Sequence, residues 1–112
     1  MKIINKTKNI VIAESLIEPQ TLLDQSLGLL KYKTPVAMHL KTHFGIHTFW
    51  MRYPIDVMIL DKHSRVVVIK NNLKPNNIFV WNIKYGIVLE LPLGTIKKTK
   101  TELNDQLNFY TS

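Results

Sequence analysis

The sequence predicts a mainly β fold, a compact antiparallel β-sandwich or barrel with one short helix in the N-terminal half. Three observations support this prediction. Short runs rich in β-branched and aromatic residues recur after Pro35, turn-forming residues separate them, and only one earlier stretch has leucines at helical spacing. At 112 residues, the chain is expected to form a single domain over residues 1–112.

The first part of the chain predicts two strands and then the helix. Lys2–Asn5 and Ile10–Ala13 have the character of short strands joined by a polar turn. The sequence Glu18-Pro19-Gln20-Thr21 is typical of a helix start, because the N–H that proline lacks would be unpaired there. The apolar stripe of this helix would consist of Leu22, Leu23, Leu27 and Leu30.

The rest of the chain predicts a series of short strands. They are expected at Val36–Leu40, Ile46–Arg52, Ile55–Leu60, Arg65–Ile69, Phe79–Ile83 and Ile87–Leu91. Gly94 ends this series, and Thr95–Lys100 is expected to form a short turn of helix. Leu103–Phe109 is predicted as the last strand.

Composition limits the classes of function. The absence of cysteine excludes disulfides, thiolate metal sites and a cysteine nucleophile, and it agrees with a cytoplasmic location. No apolar stretch approaches the ~20 residues that span a membrane, and the first residues are too polar for a signal peptide. The net charge of +7 favours anionic partners, but the lysines are scattered, so nucleic acid is the less favoured partner.

A group of polar residues within the apolar strands forms the candidate site. In a strand over Ile46–Arg52, alternation places Trp50 and Arg52 on one face and His47 on the other. Tryptophan beside arginine can form a cation–π platform. The favoured interpretation is nevertheless that Trp50 fills the core and Arg52 pairs with a carboxylate, because large aromatic side chains usually serve packing.

Asp56 and Glu90 each interrupt an apolar strand, and a buried carboxylate is costly unless it is paired or hydrogen-bonded. Arg52, across the Tyr53-Pro54 turn, is the predicted partner of Asp56. Three hypotheses remain open: a structural arginine–carboxylate network, a ligand site, in which His47 with Asp56 and Glu90 could bind a divalent metal, and acid–base catalysis by the two carboxylates. No common catalytic or nucleotide-binding motif is present, so the sequence assigns no catalytic residue.

The spacing of three histidines raises the question of a metal. His39, His43 and His47 lie four residues apart, which on a helix would place three imidazoles on one face. Gly45 interrupts this pattern and the flanking segments have the character of strands. The sequence therefore predicts no metal site and no cofactor.

The segments Gly28–Leu30, Ile46–Val57 and Val88–Gly94 resemble the domain of unknown function 192 family in order and spacing. The resemblance extends from about Val11 to Phe109. It implies a compact β fold of sandwich or barrel type and no established activity. Its central pattern falls on Phe49, Met51, Arg52, Pro54, Ile55 and Asp56, and its later acid falls on Glu90.

The chain departs from the family pattern at two positions. Gln25 stands where members often have an arginine, which would remove part of any salt-bridge network or ligand site that this arginine completes. Asn104 stands where members often have glycine. Because asparagine tolerates the left-handed backbone, the turn at Asn104 is expected to survive.

These observations predict a binding or accessory module for an unknown small molecule or protein. The candidate ligand-binding residues are His47, Trp50, Arg52, Asp56 and Glu90. One alternative is a small hydrolase or lyase that uses Asp56 and Glu90, and a second is a nucleic-acid-binding module. The sequence predicts no membrane partner and does not determine the oligomeric state.

Overall fold

The computed structural model describes residues 1–20 and 28–111, which are mainly β. In this part of the chain the strands are β1 Lys2–Asn5, β2 Ile10–Ala13, β3 Leu16–Ile17, β4 Ala37–Lys41, β5 Ile46–His47, β6 Ile55–Leu60, β7 Val66–Leu73, β8 Ile78–Phe79, β9 Ile87–Pro92 and β10 Leu107–Tyr110. Gly28–Lys31 forms a 3-10 helical turn, and Thr95–Lys98 forms the short helix α1. The helix predicted from Glu18 onward falls largely on residues 21–27, outside the described residues.

The described strands form three open sheets, which supports the predicted sandwich over the barrel. The central sheet has the order β3-β4-β9-β6-β7 and is antiparallel except for the short β3–β4 pair. A second sheet has the order β10-β1-β2, and β5 pairs with β8 in a third. Within the described residues, no helix is long and apolar enough to cross a membrane.

The central sheet separates two apolar cores. Strand β6 is buried at every position because both of its faces are covered. The first core contains Met58 and Leu60, and it is covered by the β10-β1-β2 sheet and by Ile96 of α1. The second core contains Val57 and Ile59, and the 3-10 turn and the β5–β8 sheet cover it. Each residue of the central strands therefore faces one core or the other by alternation.

The C-terminal turn is fixed by a buried polar network. Asn104 adopts the left-handed backbone with φ 75°, which confirms the expected turn. The buried Asp105 carboxylate accepts hydrogen bonds from Asn5 Nδ2, Lys8 Nζ and the Glu102 backbone N–H, each at 2.9 Å. Burial alone would raise the pKa of Asp105, but these bonds outweigh it and lower the pKa.

Several predicted strand limits are wrong, and one error changes the candidate site. The predicted strand Ile46–Arg52 ends at His47, because the chain then enters a turn. The strand expected at Phe79–Ile83 is only Ile78–Phe79, and the last strand begins at Leu107 rather than Leu103. In these segments, the hydrogen bonds of turns and loops replace the regular pairing of strands. Apolar composition alone does not predict such hydrogen bonds.

Candidate functional site

Asp56 is a structural residue of the central sheet. Its side chain faces the first core and is 1% exposed. One carboxylate oxygen accepts the Asn72 N–H at 3.1 Å, and the other accepts the N–H groups of Gly94 at 3.0 Å and Ile96 at 3.1 Å. The carboxylate thus satisfies free backbone donors at the start of α1 and joins that helix to β7.

Arg52 does not pair with Asp56. The arginine is exposed and forms no hydrogen bond or ion pair with any described residue. The predicted Arg52–Asp56 salt bridge is therefore wrong. Arg52 was predicted as the partner because it is near in sequence, whereas three backbone N–H groups satisfy the carboxylate here.

Glu90 lies in β9 and faces the second core, where it is 4% exposed. Its cross-strand neighbours are Met38 of β4 and Val57 of β6, both apolar. Within the described residues, no side chain or backbone group forms a hydrogen bond or ion pair with its carboxyl group. Burial raises the pKa of Glu90 to about 7.

The two carboxyl groups lie on opposite faces of the central sheet. In the β6–β9 register Asp56 pairs with Leu91, whereas Glu90 pairs with Val57. Leu91 belongs to the first core and Val57 to the second. Because neighbouring residues of a strand point to opposite faces, Asp56 and Glu90 cannot share a cleft. This geometry contradicts the hypothesis of paired catalytic carboxylates.

A tight turn after β5 positions Trp50. The fully buried Thr48 hydroxyl donates to the Lys74 carbonyl at 2.6 Å and accepts the Asn77 N–H at 3.0 Å. The Trp50 N–H donates to Asn76 Oδ1 at 3.1 Å. Trp50 itself has φ 63°, a left-handed backbone that is rare and strained for a bulky side chain.

Trp50 is exposed, not buried in the core as the favoured interpretation of the sequence had it. Its side chain is 77% exposed, and its ring contacts the rings of Phe49 at 5.9 Å and His47 at 6.5 Å between centroids. The His47 ring in turn stacks on that of Phe49 at 5.3 Å. His47, Phe49 and Trp50 therefore form an aromatic cluster at the surface, held by a strained but well-bonded turn.

The β5–β8 sheet and the segments that flank its two strands carry the most exposed apolar side chains of the described residues. We call this surface the β5–β8 face and define it by Phe44, Trp50, Ile78, Val80 and Ile83, which are 86%, 77%, 66%, 64% and 68% exposed. Every other large apolar side chain that is described is at most 54% exposed. Of these five residues, only Trp50 was a candidate site residue from the sequence.

The two segments that form the β5–β8 face are closely joined. His47 pairs with Ile78 across the sheet, and His43 Nδ1 lies 2.6 Å from the Ile83 carbonyl oxygen. Gly45, with φ 104°, allows the close approach, because a Cβ there would lie 2.9 Å from Val80 Cγ1. The face is thus supported along its length by backbone pairing and by packing.

The histidines lie at three different places. His47 belongs to the exposed cluster, and His43 joins the two segments of the β5–β8 face. His39 Nδ1 lies 2.6 Å from Glu18 Oε1, and the His39 ring packs against Phe109. In the described part of the chain, no three potential metal-ligating side chains come together.

Comparison with known proteins decides the family. The model of the domain of unknown function 192 family, described as "Uncharacterized ACR", matches residues 6–109. The chain belongs to this family. A curated relative, the UPF0127 protein PH1112 of Pyrococcus horikoshii, is 29% identical over 115 residues, which cover 97% of this chain and 99% of the relative.

Two solved structures share the fold of this chain. A protein of unknown function from Novosphingobium aromaticivorans has a TM-score of 0.78 at 18% identity, covering 97% of this chain and 84% of that one. A "putative transcription regulator" from Sinorhizobium meliloti has a TM-score of 0.71 at 16% identity, covering 96% and 89%. At these identities, the likenesses show a shared fold and no activity.

In the family pattern, the structure separates residues that the sequence had grouped together. Asp56 supports α1, Glu90 lies in the second core, and Arg52 is exposed beside the Trp50 turn. Gln25, where other family members often have arginine, lies outside the described residues. Residues of the family motif thus lie partly in the interior, as Asp56 and Glu90 do, and partly at the surface, as Arg52 does.

Proposed function

We propose that this protein is a binding module that docks an acidic, partly apolar segment of a partner protein on the β5–β8 face. The observation that carries the proposal is that the five most exposed large apolar side chains among the described residues all lie in or next to the two strands of this small sheet. Exposed apolar side chains that cluster mark interaction surfaces, and an exposed tryptophan is a common energetic centre of such surfaces. We also propose that the chain acts as one domain in the cytoplasm.

Charge argues for an acidic partner. The chain has no acidic residue from 25 to 55 or from 62 to 89, the two stretches that contain the β5–β8 face. Exposed basic residues accompany it: Arg52 and Lys74 near the Trp50 turn, and Lys84 next to Ile83. A second copy of the chain would bring like charges together, whereas an acidic segment would be attracted and oriented.

A protein partner fits this surface better than single-stranded nucleic acid. Ile78, Val80 and Ile83 offer no π-face on which a base could stack. The densest group of lysines, Lys97, Lys98 and Lys100, lies in and just after α1, and α1 covers the first core on the opposite side of the central sheet. This densest group of lysines therefore lies away from the exposed aromatic rings, which counts against the nucleic-acid alternative.

A peptide-binding experiment tests the proposal. The probe is a fluorescein-labelled 18-residue synthetic peptide with leucine and phenylalanine alternating with glutamate, and its anisotropy is measured with wild-type protein at low and high salt. We expect binding that weakens at high salt, and a Kd at least tenfold higher for Trp50→Ala and for Ile78→Asn. Leu103→Ala removes an apolar side chain that is 54% exposed outside the face and is the matched control.

Several outcomes would contradict the proposal. Equally tight binding of a peptide with lysine in place of glutamate would contradict the preference for an acidic partner. Equal loss of binding in Leu103→Ala and Trp50→Ala would show that the β5–β8 face is not the binding surface. Absence of binding at millimolar protein would show the same. Tighter binding of an oligothymidylate than of the acidic peptide would favour the nucleic-acid alternative, and dimers that Trp50→Ala abolishes would favour a second copy.

A further inference from the structure

The backbone of Trp50 is strained in a way that the turn alone does not require. Trp50 has φ 63°, a left-handed conformation that is rare and unfavourable for a bulky aromatic residue. Glycine adopts this conformation without steric cost, so glycine would serve a turn that had only to redirect the chain. The strain is thus tied to the tryptophan ring, which is 77% exposed.

A neighbouring segment, residues 74–77, holds this turn through the buried Thr48. The Thr48 N–H donates to the Asn77 carbonyl at 2.9 Å, and the Thr48 carbonyl accepts the Asn76 N–H at 2.9 Å. Asn77 Nδ2 donates to two carbonyls of its own segment, at 3.1 Å and 3.0 Å. The 74–77 segment therefore provides a fixed frame against which the Trp50 turn is bonded.

Asn76 is the described side chain that bonds the Trp50 backbone. Its Oδ1 accepts the Trp50 N–H at 3.1 Å. Asn76 has φ 62°, and asparagine suits this position because it tolerates a left-handed backbone and presents an acceptor on a short side chain. Two residues in left-handed conformations are thus joined by one hydrogen bond.

The ring contacts of Trp50 do not replace this hydrogen bond. The rings that Trp50 contacts belong to Phe49 and His47, which lie in the same short segment as Trp50. Contacts within one segment cannot fix the position of that segment against β8. The Asn76 side chain does so, because it belongs to the segment that leads into β8.

We propose that Asn76 is a positioning residue of the β5–β8 face: it holds Trp50 in the left-handed conformation that presents the ring, so that the face is formed before a partner arrives. This inference rests on the proposed binding function and adds the group that fixes the shape of the site. A site that is formed in only a fraction of the molecules has an apparent Kd raised in inverse proportion to that fraction. Loss of the Asn76 acceptor should therefore weaken binding although the Trp50 ring is still present.

An NMR measurement tests the geometric part of the inference. A positive φ brings the HN and Hα protons of one residue close together, so wild-type Trp50 should have a strong NOE between them. Asn76→Gly accommodates the left-handed backbone but lacks the acceptor, so this NOE should weaken. Asn76→Asp keeps an acceptor oxygen and should retain the wild-type NOE.

Binding of the acidic peptide, measured by anisotropy, tests the functional part. We expect the Kd of Asn76→Gly to rise about fivefold over the wild type, less than in Trp50→Ala. Asn9→Gly is the matched control, because Asn9 is exposed, has φ 57° and lies in the turn between β1 and β2. This variant should bind the peptide as the wild type does and should keep the Trp50 NOE.

The results distinguish this inference from the proposed function. If the wild type binds the peptide, the positioning role is wrong when Asn76→Gly keeps wild-type affinity or an unchanged Trp50 NOE. It is also wrong when Asn9→Gly loses as much affinity, or when Asn76→Asp loses the NOE. Absence of binding by the wild type would instead contradict the proposed function, and with it the role of Asn76 in binding.

Discussion

Asp56→Ala is expected to lower the free energy of unfolding by about 3 kcal/mol, since it leaves three backbone donors without their acceptor in a buried site. The donors are the N–H groups of Asn72, Gly94 and Ile96. Asp56→Asn retains one acceptor oxygen but directs an amide NH₂ toward donors, so a loss of about half that size is expected. Urea unfolding followed by circular dichroism measures both.

Arg52→Ala is the decisive companion variant for Asp56. If the two residues formed the salt bridge that the sequence suggests, removing either one would destabilise the fold. Because Arg52 is exposed and unbonded among the described residues, the change in unfolding free energy should stay within about 0.5 kcal/mol. Equal losses for Arg52→Ala and Asp56→Ala would show that the pair is coupled after all.

Wild-type stability should fall with rising pH because of Glu90. Below pH 4.5 the group is protonated in both the folded and the unfolded state and contributes nothing. Between pH 4.5 and about 7 the unfolded chain releases the proton while the folded protein keeps it, so unfolding is favoured. At about 1.4 kcal/mol per pH unit, the loss reaches about 3 kcal/mol and stays constant at higher pH.

Glu90→Gln isolates this effect. Unfolding free energies of the wild type and of this variant are measured by urea denaturation from pH 4 to 9. Their difference should contain the entire pH-dependent loss of stability between pH 4.5 and 7. Glu14→Gln, at a side chain that is 76% exposed, should reproduce the wild-type curve. A flat difference curve for Glu90→Gln would mean that the folded protein does not hold Glu90 in its neutral form.

The fold was predictable where strands are long and doubly covered. Ile55–Leu60 was predicted with its observed limits, because an unbroken apolar run of six residues fits a central strand. The turn after His47 was not predictable, since it depends on Thr48 bonding to Lys74 and Asn77, far along the chain. Period-two alternation over Ile46–Arg52 therefore placed Trp50 wrongly.

The site was predictable only in part. The sequence correctly indicated that Asp56 and Glu90 are unusual, because each is a carboxyl group inside an apolar strand. Strand alternation could not tell which core each one faces without the β6–β9 register. The β5–β8 face was missed, although its segments have one detectable signal. These segments contain several large apolar residues and no acidic residue. Packing in a core requires the apolar residues but does not require the absence of acids.

Mapping by ¹⁵N-HSQC titration with the acidic peptide shows directly whether the β5–β8 face is the binding surface. We expect the shift changes to concentrate on residues 44–50 and 76–85, including the Trp50 indole N–H, and to vanish in Ile78→Asn. Changes centred on the β10-β1-β2 sheet or on α1, with the β5–β8 face unaffected, would contradict it.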